Sequence, residues 1–266
     1  MANHYTTNKD EWRALADIDY FGMFVKAYIP FNAWMNVTYP TLPLDRAKIN
    51  AIKRDTNPFR DKIYALLDAS TQEGANFRNA IGELHYLLEN HHIHNQDRRI
   101  TFTDIVLGKN PDNIKEDSYR GIGFRVQYGN GSGTDTHTHS LIKRRDGSAI
   151  FTKTQEDYNL SELKACPDYA LLSDEYKTRL VKCYELVIPN LTKNLLTGFD
   201  ATDPTKYYNI GQFKFVKERE YIAQGLIEIL YNMRNSLFHG ELIPNKEANK
   251  IYGAAYKILR ELIEAL

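Results

Sequence analysis

The residues best placed to do chemistry lie in "LYNMRNSLFHGEL", residues 230–242. Arg234 is followed by Asn235, and His239 comes after a spacer of four residues. Histidine titrates near neutrality and can take or give a proton. A guanidinium is a permanent cation with a planar fork that matches phosphate. Together they suit acid–base chemistry on an ester whose oxygens gain negative charge. On a helix, Asn235 and His239 share a face. Gly240 suits a left-handed cap and puts His239 in the last turn, where a loosened turn would let Arg234 approach it. A purely structural role is open at this point. A histidine before glycine is a common helix ending, and an arginine at a helix edge commonly finds a carboxylate or water.

Other clusters offer weaker chemistry. His91, His92 and His94 in "HHIH" invite a metal reading, but adjacent histidines do not easily share one ion and no ligand follows at helical spacing. His137 and His139 in "THTH" fall on one face of a strand and need a third ligand to hold a metal. Lys143, Arg144 and Arg145 in "IKRRDG" form the densest basic cluster. With Arg120 and Arg125, and with Phe124 and Tyr128 between them, they could offer charge and stacking rings to RNA. "GNGSG" lacks the lysine of a phosphate-binding loop, and neither a nucleophile elbow nor a paired-carboxylate site is evident.

"MRNSLFHG" resembles the motif of the HEPN superfamily: arginine, a polar residue, a short spacer, then histidine. Asn235 fills the polar position, and the motif sits late on a helix with another helix after it. The resemblance covers about the last fifty residues. It implies a metal-independent endoribonuclease without cofactor, whose homodimer forms one composite site from Arg234, Asn235 and His239 of both copies. It further implies an RNA substrate, for which the basic residues Lys143, Arg144, Arg145 and Arg125 noted above are candidate contacts. A toxin or antiviral effector role follows from the same likeness, with an antitoxin or defence-system partner. The rival readings are a non-catalytic HEPN-like RNA- or partner-binding adaptor and a metal-dependent hydrolase built on the histidine pairs.

Helices must position this motif. "EWRALADIDYFGMFVKAYI" places Trp12, Leu15, Ile18, Phe21 and Val25 near helical spacing, with Pro30 expected to interrupt it. "LPLDRAKINAIKRD" starts at Asp45. "NPFRDKIYALLDA" offers Asn57 as cap and Pro58 at the first position. "ANFRNAIGELHYLLENHH" aligns Phe77, Ile81, Leu84 and Leu88. Helices are also predicted from Ser173 toward Pro189, from about Val216 to Phe238, and through the stripe Ala248, Ile251, Ala255, Ile258, Leu262. The short link between the final two favours antiparallel neighbours. Between them, "GFRVQY", "THTHSLI" and "SAIFTKT" read as strands, with a hairpin turn at Asp146-Gly147.

The expected fold is therefore mainly α, a helical bundle with a HEPN-like C-terminal part and a small central antiparallel β insertion. The boundaries expected are 1–118 for N-terminal helices, 119–155 for the insertion and 156–266 for the bundle, which could be continuous with 1–118.

The 266 residues carry 34 basic and 34 acidic side chains, so net charge is zero. That argues against a broad polyanion-binding coat but allows a local groove. Cys166 and Cys183 are the only cysteines, too few for a disulfide framework. With no apolar run long enough for a span and no signal pattern at the start, a cytoplasmic location away from membranes is expected.

Overall fold

Apolar periodicity builds most of the helices seen in the computed structural model, which describes residues 19–95, 98–130 and 135–266. Helix α1 (Tyr20–Thr38) is followed by α2 (Asp45–Arg54), α3 (Pro58–Asp68) and α4 (Gln72–Asn90). Asn57 caps α3 by accepting from the Arg60 amide, and Thr71 caps α4 in the same way at Gly74. Phe77, Ile81, Leu84 and Leu88 are buried on one side of α4. The expected residues Trp12, Leu15 and Ile18, and the tip of the "GNGSG" turn, lie outside the described residues.

Pro30 does not interrupt α1 but lies inside it. Proline removes one intrahelical donor. Burial of Phe24 and Tyr28 before it and Phe31 and Met35 after it holds the helix through that gap.

The chain forms two compact units, residues 1–106 with 193–266, and residues 107–192. These boundaries differ from the expected breaks at 118 and 155. The first unit contains α1–α4, the short strands β1 (His94–Asn95) and β2 (Arg98–Arg99), and a later hairpin, β9 (Tyr207–Ile210) with β10 (Phe213–Val216). It ends with α8 (Arg219–Phe238) and α9 (Lys246–Ile263). Residues 213–216 are strand, and α8 starts at Arg219, three residues after the expected start near Val216. In "YYNIGQFKFV", Gly211 takes a positive φ of 59° and turns the chain. Register pairs Ile210 with Phe213 and Tyr207 with Val216.

Helix α9 packs chiefly on α1 and α4 and meets α8 more lightly. Aromatic packing accounts for this: Tyr252 meets Phe21 at 4.9 Å and Phe24 at 5.2 Å between ring centroids. One buried bond still joins α9 to α8, as the Tyr252 hydroxyl donates to the Met233 carbonyl at 2.7 Å.

The second unit is an antiparallel meander of β4 (Ile114–Tyr119), β5 (Ile122–Tyr128), β6 (Thr138–Lys143) and β7 (Ala149–Gln155). Arg120 and Gly121, with φ of 50° and 79°, make the tight β4–β5 turn; positive φ at both central residues matches strand twist in a hairpin. Gly147, φ 86°, closes the expected β6–β7 turn. Helices α5 (Leu160–Ala165), α6 (Pro167–Ala170) and α7 (Asp174–Leu186) follow. Their Leu163, Leu180, Cys183 and Tyr184 share a core with Phe124, Val126, Ile142 and Phe151. β3 (Ile105–Lys109) and β8 (Asn190–Lys193), the passages between units, pair with one another.

The architecture is mixed α and β, with 51% of the described residues helical and 19% in strands. The expectation of a mainly α bundle with one small β insertion is overturned. The extra strands are short or polar, so they leave little of the period-two signal on which that expectation relied.

Helix α4 touches the β9–β10 turn at Gly82. A Cβ there would stand 2.8 Å from the Ile210 carbonyl oxygen and 2.9 Å from the Gly211 Cα. Gly82→Ala is expected to cost about 1–3 kcal/mol, read as a lower midpoint in urea unfolding; an unchanged midpoint would contradict this close approach.

Candidate functional site

Helix α8 presents two different sides. Ile222, Leu226, Ile229, Leu230 and Met233 are buried in the first unit. Glu228, Asn232, Asn235 and His239 recur at steps of four, three and four, which aligns them as a polar stripe. Glu228 is buried yet fully partnered. Arg46 Nη1 donates to both of its carboxylate oxygens, at 2.7 and 2.8 Å. Lys53 Nζ donates to Oε2 at 2.9 Å and also to the Val106 carbonyl at 3.1 Å. Burial alone would raise the Glu228 carboxyl, but the Lys53 and Arg46 charges outweigh it and hold it below the usual carboxylate range. One turn on, Asn232 Oδ1 accepts from Arg46 Nη2 at 3.3 Å and from Asn95 Nδ2 at 3.0 Å.

The motif residues occupy the last turns of this helix. Arg234 is half-buried. Its Nη1 donates to Asn235 Oδ1 at 3.0 Å, its Nη2 lies 3.7 Å from Asp45 Oδ2, and its guanidinium sits 4.8 Å from the centre of the Phe238 ring. Asn235 is buried. Burial raises the nearby Tyr28 phenol, and the Arg234 charge partly offsets that. His239 is exposed, and its ring makes no hydrogen bond among the described residues.

The end of α8 is tightly closed. The His239 amide donates to the Asn235 carbonyl at 2.8 Å, Gly240 to Leu237 at 3.4 Å, and Glu241 to Ser236 at 3.0 Å. With Gly240 at φ 70°, this is the paired-bond glycine cap expected from sequence. The last turn does not loosen, and no hydrogen bond joins Arg234 to His239. A single chain therefore offers one fixed guanidinium and one separate, wet imidazole.

His91, His92 and His94 line a cleft of about 520 Å³ in the first unit, together with Glu241, Ile243 and Glu247. Glu241 and Glu247 share the lining of this cleft with the histidines, from a part of the chain that sequence spacing could not connect. No group of three or more His, Cys, Asp or Glu stands at metal-holding geometry among the described residues. His137 and His139 do share a strand face, with ring centroids 6.2 Å apart. Each has a local partner: Asp135 at 2.7 Å for His137 and Thr154 at 3.0 Å for His139.

The basic residues of the sheet belong to the second unit. Lys143, Arg144 and Arg145 are exposed at and beyond the end of β6. Arg144 donates to Ser148 Oγ at 3.2 Å. Arg125 lies on the sheet face away from the helices, bonded to Glu116 at 3.3 Å and Gln127 at 3.0 Å. The interleaved rings do not join them. Phe124 is buried in the opposite core and Tyr128 packs against it, because successive side chains on a strand alternate faces.

Sequence reasoning missed Arg46, Lys53, Glu228 and Asn232. Glu228 alone carried a local signal, as an acidic side chain flanked by Ile227 and Ile229 in an otherwise apolar run. Among the described residues, no helix is long and apolar enough to cross a membrane. No family model, curated protein or solved structure matches the chain.

Replacing Glu228 with Gln leaves the Lys53 ammonium buried without its counter-ion. The expected cost is about 3–5 kcal/mol, measured by chemical denaturation at pH 7. The folded Glu228 pKa lies below its unfolded value, so this stabilisation is full above about pH 4.3. It is lost as pH falls through the folded value, and the difference between wild type and E228Q should narrow there. A gap that stays constant into acid would contradict the role assigned to this carboxylate.

Proposed function

We propose that the chain is a metal-independent endoribonuclease of HEPN type, acting as a homodimer on RNA as a toxin or antiviral effector. The observation that carries this reading is the end of α8: an anchored, half-exposed guanidinium and an exposed imidazole with no hydrogen-bond partner among the described residues. They are separated by a spacer of four residues in the motif that resembles the HEPN superfamily.

The chemistry follows from these groups. The ribose 2′-oxygen attacks the adjacent phosphorus while one imidazole takes the 2′-hydroxyl proton. The bond from phosphorus to the 5′-oxygen breaks, and a second, protonated imidazole gives that oxygen its proton. Negative charge on the phosphorane oxygens is met by guanidinium. The products are a 2′,3′-cyclic phosphate and a 5′-hydroxyl, with no net oxidation or reduction. The step needs two imidazoles, and each chain supplies one at this motif, so two copies facing each other complete the set. The large exposed ring of Phe238, next to His239 in the chain, supports coverage of this end of α8 by a second copy. Asn235 acts by holding Arg234.

The adaptor alternative draws on one observation, the contacts that Arg234 makes within its own chain. It predicts RNA or partner binding without cleavage.

His239→Ala should lower cleavage by about 10²–10⁴-fold with the unfolding midpoint unchanged, since the ring is exposed. Arg234→Ala should cost about 10²–10³-fold, and Arg234→Lys should recover little because the fork is lost. Light scattering on the active protein should give the mass of two chains. Normal cleavage by H239A, or full activity from a strict monomer, would overturn the reading.

A further inference from the structure

We infer that Arg46 forms a second phosphate-binding site, taking a backbone phosphate next to the one engaged by Arg234. This rests on the ribonuclease reading for the identity of the ligand, but the anion site stands on its own geometry. Arg46 and Lys53 share the single carboxylate of Glu228, so the cluster carries one excess positive charge. The Lys53 side chain is 3% exposed and that of Arg46 is 43%. The uncompensated charge is therefore presented to solvent by Arg46.

The Arg46 guanidinium is also held in place. Glu228 grips Nη1, Asn232 takes Nη2, and the Tyr231 ring lies 4.4 Å beneath the guanidinium carbon. Nε makes no hydrogen bond among the described residues. A guanidinium carries five N–H donors, so an anion can bind without displacing Glu228. A fixed fork loses less entropy on binding phosphate than a free side chain does.

One feature ties this site to Arg234. Asp45 and Arg46 are consecutive at the start of α2, and they reach Arg234 and Glu228 respectively. Both guanidiniums therefore border one α2–α8 seam, anchored at positions about 9 Å apart along the helix. The first turn of α2 already carries the carboxylate of Asp45, so the attraction for an anion rests on the Arg46 guanidinium itself.

The test uses the full chain carrying His239→Ala, which prevents cleavage, with and without Arg46→Gln. Lys53 remains to pair Glu228, and unfolding curves establish that the double variant is folded. Anisotropy of a labelled single-stranded RNA and calorimetry with tripolyphosphate are the readouts, with Lys250→Gln as a control on a separate surface. Arg46→Gln should weaken RNA binding about tenfold and make its salt dependence shallower by about 0.7. Arg46→Lys should recover part of the affinity, and K250Q should change neither. Equal RNA affinity and salt slope in folded R46Q would overturn this site while leaving the nuclease reading intact. Tripolyphosphate binding that depends on Arg46, with no RNA binding, would keep the site and overturn the nuclease reading. Binding of neither probe would overturn both.

Discussion

One buried carboxylate organises the polar side of α8. Glu228 is placed where water cannot solvate it, and such a charge persists only when paired and hydrogen-bonded. Arg46 and Lys53, both from α2, supply the pairing. Their spacing on α2 and the length of their side chains fix that helix against α8. Asp45 is then carried to Arg234, and Asn232 to Arg46 and Asn95. The C-terminal end of α8 inherits its order from this constraint. The charges are conspicuous, but their main effect is positional: they decide which guanidiniums face solvent and how rigidly.

The same helix treats its two motif ends differently. Arg234 is gripped by Asn235 and lies over Phe238, so its direction is largely set before any ligand arrives. His239 is held only through its backbone, by the glycine cap. A side chain that must give and take protons benefits from contact with solvent, whereas a charge clamp benefits from being fixed. The second unit is built on another principle. Its sheet buries Phe124, Val126, Ile142 and Phe151 against helices on one face and leaves a polar face with Glu116 and Arg125 on the other. Its basic residues are mostly engaged locally or stand at a hairpin tip.

Several features were legible in the sequence because their causes are local. The cap at Asn57, the stripe of α4, the turn at Gly147 and the glycine closure after His239 each follow from neighbouring residues. The strands outside the expected insertion were not legible. "IKEDSY" (β4) has no apolar alternation, since its inward side chains Lys115 and Asp117 are only half-buried. β9 and β10 are four residues each, too short to give a clear period-two signal. Pro30 misleads locally because burial on both sides of it carries α1 through. The candidate site divides in the same way. Arg234, Asn235 and His239 announce themselves by spacing. Arg46 does not, because its partner Glu228 lies 182 positions away, and only the folded chain brings them together.

The central claim is that the chain's own imidazole and guanidinium groups direct a ribose hydroxyl onto its neighbouring phosphate. The most direct measurement is end-group analysis of RNA cut by the dimer in excess chelator, alongside the same RNA with a single 2′-deoxy residue at the cleavage position. The account predicts fragments ending in 2′,3′-cyclic phosphate and beginning with 5′-hydroxyl, and no cut at the deoxy position. Fragments beginning with 5′-phosphate, cleavage at the deoxy position, or RNA left intact would contradict it.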